Sequence, residues 1–293
     1  MALSDSSAAR APASGVEHAR AARREIFYRH SIAVRLTHWS NVVCLTLLLM
    51  SGLQLFNFHP ALYWGNYGYR GAPSVFSISA MRDPETREPA GITRIGDYSF
   101  DTTGFLGVHF DAEGLAHGGA FPRWAILGAD LAVTRDWHFL MAWLLVINGA
   151  VYLLYGAVSG HFRRDLAPAT RELRARHILH DIWNHIRLRR PRGEAAKRYN
   201  VLQKLSYLIV IFLLLPAIVL SGLTMSPAVT AAAPFLFDLF GGRQSARTVH
   251  FIVANFLVLF VMVHVVQVLL FGAFNLMRSM ITGRYAIAPE KVS

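Results

Sequence analysis

Residues 249–271 read VHFIVANFLVLFVMVHVVQVLLF, an unbroken apolar run free of Asp, Glu, Lys and Arg that carries two histidines, His250 and His264. A helix of about 20 apolar residues crosses the hydrocarbon of a bilayer, so this run is expected to span a membrane. At about 1.5 Å and 100° per residue, the 14 residues between the histidines give about 21 Å of rise and keep them within roughly 40° of one face. Ionisable side chains inside hydrocarbon are costly and default to function.

Three further runs have the same length and character, Leu36 to Phe56, His138 to Val158 and Leu205 to Met225. The fold class expected is therefore all-α and integral to the membrane: a four-transmembrane-helix bundle with a long loop, residues 57–137, between helices one and two. Pro216 in the third run predicts a kink and not a break, since neighbouring groups can satisfy the freed carbonyl. The composition agrees, with 54% hydrophobic and 16% charged residues. A net charge of +11 would suit a nucleic-acid binder, but the basic residues cluster between apolar runs. Residues 159–204 hold 12 Lys and Arg, the chain before the first run 6 and the chain after the fourth run 3, together 21 of 29. The two remaining loops hold 8 basic against 10 acidic residues. By the positive-inside rule both termini face the cytoplasm and the long loop lies on the outer side of the membrane. The partner surface is lipid, and no nucleic acid is implied.

Residues 1–33 lack an apolar core and are expected to form a disordered cytoplasmic tail and not a signal peptide. Residues 34–275 form the membrane domain and 276–293 a second cytoplasmic tail. The long loop, rich in Gly, Pro and aromatics (Tyr63, Trp64, Tyr67, Tyr69), shows no clear period and is expected to cap the bundle and offer a docking surface. Phe121 to Ala132, opened by a proline, predicts a short interfacial helix. His177, His180 and His185 lie in a basic amphipathic segment read as resting on anionic lipid, with a metal site as the alternative. His161 reads as a helix-end residue.

Four histidines fall within the spans: His38 near the cytoplasmic end of the first, His138 and His250 at the outer ends of the second and fourth, and His264 deeper in the fourth. Pairing by depth matches His138 with His250 and His38 with His264. Two imidazoles per level, without carboxylate or thiolate, suit haem, which brings four nitrogens and needs only axial ligands. The single cysteine, Cys44, excludes a Cys-x-x-Cys-His attachment, so two haem b groups would be held noncovalently. Arg-x-x-His recurs as Arg35–His38, Arg135–His138 and Arg247–His250 at span boundaries, where each arginine shares a face with its histidine and can reach a haem propionate. The second and fourth spans share Arg-x-x-His-Phe-[Leu/Ile]-x-Ala, and the first and third share Ser-Gly-Leu, at Ser51 to Leu53 and Ser221 to Leu223. These short strings hint at two related helix pairs. Gly52, Gly149, Gly156 and Gly222 would let a helix or a flat macrocycle approach the backbone.

On these residues, Arg35-Leu-Thr-His38-Trp39, His138 and the His250/His264 pair, the chain resembles the bacterial cytochrome b561-type family, which includes the membrane cytochrome subunits of nickel-iron hydrogenase, formate dehydrogenase and thiosulfate reductase. The strings Tyr199-Asn200-Val-Leu-Gln203-Lys204 and Gly241-Gly242-Arg243-Gln244-Ser-Ala-Arg247 resemble thiosulfate reductase cytochrome subunits. The resemblance implies the same histidine pairs that depth gives. It implies electron transfer between the quinone pool and a periplasmic oxidoreductase subunit, a molybdopterin enzyme. A quinone is expected near the cytoplasmic end beside His30, Asn41, Tyr199 and Gln203. The long first loop departs from the small free-standing members. Two alternatives carry their own marks: a stand-alone quinone-linked haem oxidoreductase would turn over a small substrate alone, and a histidine-relay metal or proton transporter would want Asp or Glu within the spans, whose interiors hold none.

Overall fold

The computed structural model describes residues 25–68, 72–187 and 199–287, so Tyr69, most of the N-terminal tail and the last six residues lie outside the described residues. Strand β1 (Glu25–Tyr28) leads into the first span, α1 (Ile32–Phe58), and the second span is α2 (Leu131–Val158). A short amphipathic helix α3 (Ala175–Ile186) precedes the third span, α4 (Val201–Met225). Two single-turn helices, α5 (Pro227–Ala232) and α6 (Phe235–Phe240), join it to the fourth, α7 (Arg243–Thr282). The first span lies mainly against the second and the third against the fourth, the two helix pairs that the repeated strings suggest. Outward side chains such as Leu154, Leu213, Leu259 and Leu269 are exposed, as a lipid-facing surface requires.

All four helices start earlier than their apolar runs, and polar side chains cap the first three. The Ser31 and Asp130 side chains accept from the backbone N–H of Val34 and Val133. Asn200 and Gln203 form a reciprocal capping box, each side chain accepting the other's backbone N–H. Pro216 perturbs α4 without breaking it: a π turn at Val210–Leu214 precedes it, and Leu215 donates to the Val210 carbonyl. The fourth helix bends at Gly272 (φ 117°, ψ 72°), a conformation open to glycine, immediately after the apolar run ends.

The chain then continues as helix to Thr282, turns at Gly283 (φ 81°) and forms β8 (Arg284–Ile287). Residues 276–287 are thus helix and strand, not a tail, because β8 pairs antiparallel with β1, from Glu25 opposite Ile287 to Tyr28 opposite Arg284. The Arg29 guanidinium lies over the rings of Tyr199 and Tyr285. The two ends of the membrane domain therefore meet at one end of the bundle, the tail end.

The long loop corrects the all-α expectation. Strands β2 (Ala61–Leu62), β3 (Phe76–Arg82), β4 (Pro89–Ile95) and β5 (Tyr98–Asp101) form an antiparallel sheet in that order, and β6 (Gly107–Phe110) pairs with β7 (Ala116–Gly119). Phe56, Leu62, Ile78 and Ala120 bury a small core under this cap, with Phe76, Phe121 and Phe251 against it. The cap is stitched to the start of the fourth span: Thr248 Oγ1 donates to the Tyr63 carbonyl (2.7 Å), and the Gly65 N–H donates to Ser245 Oγ (2.7 Å). The expected helix at Phe121 to Ala132 is instead one 3-10 turn, Arg123–Ala125, followed by extended chain. Gly128 (φ 103°) and the Asp130 cap delay helix until Leu131.

Candidate functional site

The four intraspan histidines meet as two pairs. His38 on α1 faces His264 on α7 with ring centroids 6.3 Å apart and planes at 58°. His138 on α2 faces His250 on α7 at 6.3 Å and 59°. The first pair lies toward the tail end, and the second lies beneath the cap, where Phe251, next to His250, stacks on Phe56 at 5.0 Å.

The separation discriminates between two uses of facing imidazoles. A direct hydrogen bond of about 2.9 Å between ring nitrogens, each about 1.1 Å from its ring centre, would place the centroids about 5.1 Å apart. One metal atom between the rings, at about 2.0–2.1 Å from each nitrogen, gives about 6.2–6.4 Å. Both pairs match the second spacing. Among the described residues no group of three or more His, Cys, Asp or Glu converges to hold a bare metal ion. All four imidazoles line one continuous, mostly apolar cavity of about 3840 Å³, several times the roughly 300–1,000 Å³ of an ordinary ligand pocket. Space and donor set therefore fit a macrocycle that each imidazole pair would hold.

The glycines divide by role. Gly52 and Gly222 lie against the edges of His138 and His250, where a Cβ would come within 3.5 Å and 3.3 Å of Cε1. Gly149 borders the cavity, and a Cβ there would meet nothing within 4 Å. Gly156 instead makes room for the Phe162 ring. The serines before Gly52 and Gly222 are fully buried, and their hydroxyls contact the imidazoles directly: Ser51 Oγ to His138 Nδ1 at 2.9 Å and Ser221 Oγ to His250 Nδ1 at 3.0 Å. These contacts escape a search for metal-binding residue types. The repeated Ser-Gly-Leu string is the signal that marks them.

The arginines occupy different settings. Arg35 donates through Nη1 to the Ile281 carbonyl (2.7 Å), and its buried Nε has no hydrogen-bond partner among the described residues. Arg135 is exposed and borders the cavity. Arg247 donates through Nη1 to the Ala61 carbonyl (2.8 Å) and through Nη2 to that of His59, which fastens α7 to the cap.

Of the residues expected around a quinone, His30 and Tyr199 come together, with the Tyr199 hydroxyl 3.5 Å from His30 Nδ1. His30 is buried beside Arg29, and its pKa is lowered to about 4, chiefly by burial and then by the charge of Arg29. Gln203 is committed to the capping box. Asn41 accepts from Asn148 Nδ2 (2.7 Å), which also donates to the Thr37 carbonyl (2.8 Å), so Asn41 joins the first two spans. His161 lies at a helix end as expected, at the start of the π turn Phe162–Leu166, and inside the tail-end cluster. Its Nδ1 is 2.7 Å from Asp165 Oδ2, and the Tyr152 and Tyr155 rings lie beside it. Burial raises the Asp165 pKa, and hydrogen bonds from Arg164 and His161 outweigh that and lower it overall. On α3, His177 Nε2 is 3.9 Å from Asp181. The side chain of His185 lies outside the described residues.

No solved structure matches the chain. It is 29% identical over 247 residues to the putative protein-methionine-sulfoxide reductase subunit YedZ1 of Azospira oryzae, an alignment covering 84% of this chain and 93% of that protein. The model of the prokaryotic cytochrome b561 family matches residues 29–283, which contain all four spans, the cap and both imidazole pairs. The chain therefore belongs to the prokaryotic cytochrome b561 family, a family of haem b-binding membrane proteins.

Proposed function

We propose that this chain is a dihaem membrane subunit that carries electrons between the quinone pool and a periplasmic oxidoreductase, with both termini on the cytoplasmic side of a bacterial inner membrane. The observation that carries the reading is the repetition of the 6.3 Å imidazole gap at two depths of one bundle. Haem b supplies one-electron chemistry when bound, with potentials set by its axial ligands and surroundings. His38 and His264 hold one such group, and His138 and His250 the other. The 14 residues between His250 and His264 set a separation of about 21 Å along the helix, so two sites suffice to cover most of the hydrocarbon. The apolar lining excludes water and lowers the dielectric around both.

Arg35, Arg135 and Arg247 serve the propionates, Arg247 while also anchoring the cap. At the tail end, His30 and Tyr199 offer a quinol head group an imidazole and a hydroxyl, with His161–Asp165 close by to accept protons. The β cap provides the periplasmic docking surface. The Azospira oryzae relative is named as a methionine-sulfoxide reductase subunit, so the proposed partner is an oxidoreductase of that class, dependent on molybdopterin.

Haem quantitation and reduced-minus-oxidised spectra on the wild type, His38→Ala and His138→Ala test the reading, together with affinity capture of the periplasmic partner. Two noncovalent haems in the wild type and about one in each variant are expected. A wild type without haem absorption would overturn the proposal.

A further inference from the structure

The hydroxyls of Ser51 and Ser221 have one proton each, and the structure shows where it goes. Ser51 Oγ lies 2.7 Å from the Leu47 carbonyl and Ser221 Oγ 2.7 Å from the Ala217 carbonyl, each four residues back on the same helix. A carbonyl can only accept, so each hydroxyl donates to its own backbone. The oxygen facing Nδ1 of His138 or His250 must then act as acceptor, and the imidazole Nδ1–H as donor. This fixes the tautomer: Nδ1 carries the proton, and Nε2 keeps its lone pair. The following glycine, 52 or 222, provides the space that lets the ring lie against the helix. The same device thus appears twice, from α1 to α2 and from α4 to α7, and both copies serve the cap-end pair. At the tail end His38 Nδ1 is buried and has no hydrogen-bond partner among the described residues.

We infer that Ser51 and Ser221 are positioning residues that orient both cap-end imidazoles and make them more basic ligands, lowering the midpoint potential of the cap-end haem relative to the tail-end haem. The inference rests on the bis-histidine reading above. Its physical basis is general: a hydrogen bond from the distal ring N–H fixes the orientation of a ligating imidazole and strengthens its donation, which favours the more highly charged metal state. The two haems would then be unlike by construction, and an electron at equilibrium would reside preferentially on the tail-end haem.

The test is a spectroelectrochemical titration of the purified, haem-loaded protein with low-temperature EPR of the oxidised state, on wild type, Ser51→Ala, Ser221→Ala and two controls. Ser221→Thr keeps a hydroxyl at the same position. Thr224→Val removes a fully buried hydroxyl one turn away that, among the described residues, bonds only to the Leu220 carbonyl. In each Ser→Ala variant one of two midpoints is expected to rise by about a tenfold change in the reduced-to-oxidised ratio, 59 mV for one electron, with an altered EPR signal for that haem alone. The other midpoint, Thr224→Val and Ser221→Thr are expected to match wild type. Unmoved midpoints and EPR signals in Ser→Ala variants that retain two haems would overturn the inference while leaving the dihaem reading intact. An equal shift in Thr224→Val would overturn it too, by showing a packing effect. A wild type with fewer than two haems would instead sink the dihaem reading. If a Ser→Ala variant loses its cap-end haem, the orienting role stands provided Ser221→Thr retains both.

Discussion

Gly52 and His138 meet edge to face across the first two helices, with the imidazole Cε1 3.5 Å from where a Cβ on Gly52 would sit; Gly222 and His250 repeat the arrangement at 3.3 Å. Alanine at position 52 is therefore in ordinary contact with the ring, whereas a branched side chain must displace it. Gly52→Val and Gly222→Val are expected to lower the haem-to-protein ratio from two to about one, with the tail-end haem retained and its spectrum unchanged. Gly52→Ala is expected to keep both. A haem assay on detergent-purified protein checks this, and equal loss at both levels would show that the glycines act only through helix packing.

Asn148 donates to the Thr37 carbonyl and to Asn41 Oδ1 at 2.8 and 2.7 Å, tying the first two spans together one residue from His38. Interhelical hydrogen bonds in membranes contribute about 0.6 and at most about 1.7 kcal/mol each. Asn148→Leu is expected to destabilise by about 1 kcal/mol and lower the thermal midpoint by a few degrees. The perturbed haem spectrum should be that of the His38–His264 level. A midpoint equal to that of wild type would show the contact to be energetically silent.

His30 stays neutral in the folded protein down to about pH 4, against 6.5 for a free imidazole, because it is buried and faces Arg29, with Arg35 adding positive potential. Between those two values the unfolded chain binds the proton and the folded chain does not, so stability rises with pH over this window. It is lost as pH falls from about 6.5 to about 4. At about 1.4 kcal/mol per pKa unit, discounted for partial exposure, the loss comes to about 2 kcal/mol. Thermal unfolding of wild type and His30→Gln between pH 4 and 7 should show a steeper acid-side decline in wild type, and parallel curves would contradict the assignment.

The helical core and the histidine pairing are legible in the sequence because the bilayer leaves few options: long apolar runs must be helices, and a polar side chain at a given depth can meet only partners at that depth. Helix ends are not legible from the apolar runs, since Ser31, Asp130 and Asn200 cap first turns that lie beyond them. The β cap also escapes, because its strands are two to seven residues long and take their core from distant helix residues, Phe56 and Phe251. Ser51 and Ser221 lie in between. Their string is visible as a repeat, but only folding shows that each serves a histidine on the neighbouring helix and none on its own.

Arg247 tests how far sequence spacing can assign a role. Its place three residues before His250 suggests a propionate partner, yet its two Nη groups donate to the carbonyls of His59 and Ala61, and its guanidinium lies 5.9 Å from the Phe56 ring. Lysine keeps the charge but, as a compact ammonium, cannot bridge two divergent carbonyls as the planar guanidinium does. Arg247→Lys is therefore expected to loosen the cap by about 1–2 kcal/mol while both haems remain. Arg247→Met should loosen it equally and also weaken the cap-end haem. Limited proteolysis within residues 61–119, read alongside haem content, separates the two roles. Cleavage several-fold faster than wild type in both variants, with haem loss confined to Arg247→Met, is the expected result. Haem loss in both variants with an intact cap would instead make the propionate the residue's main partner.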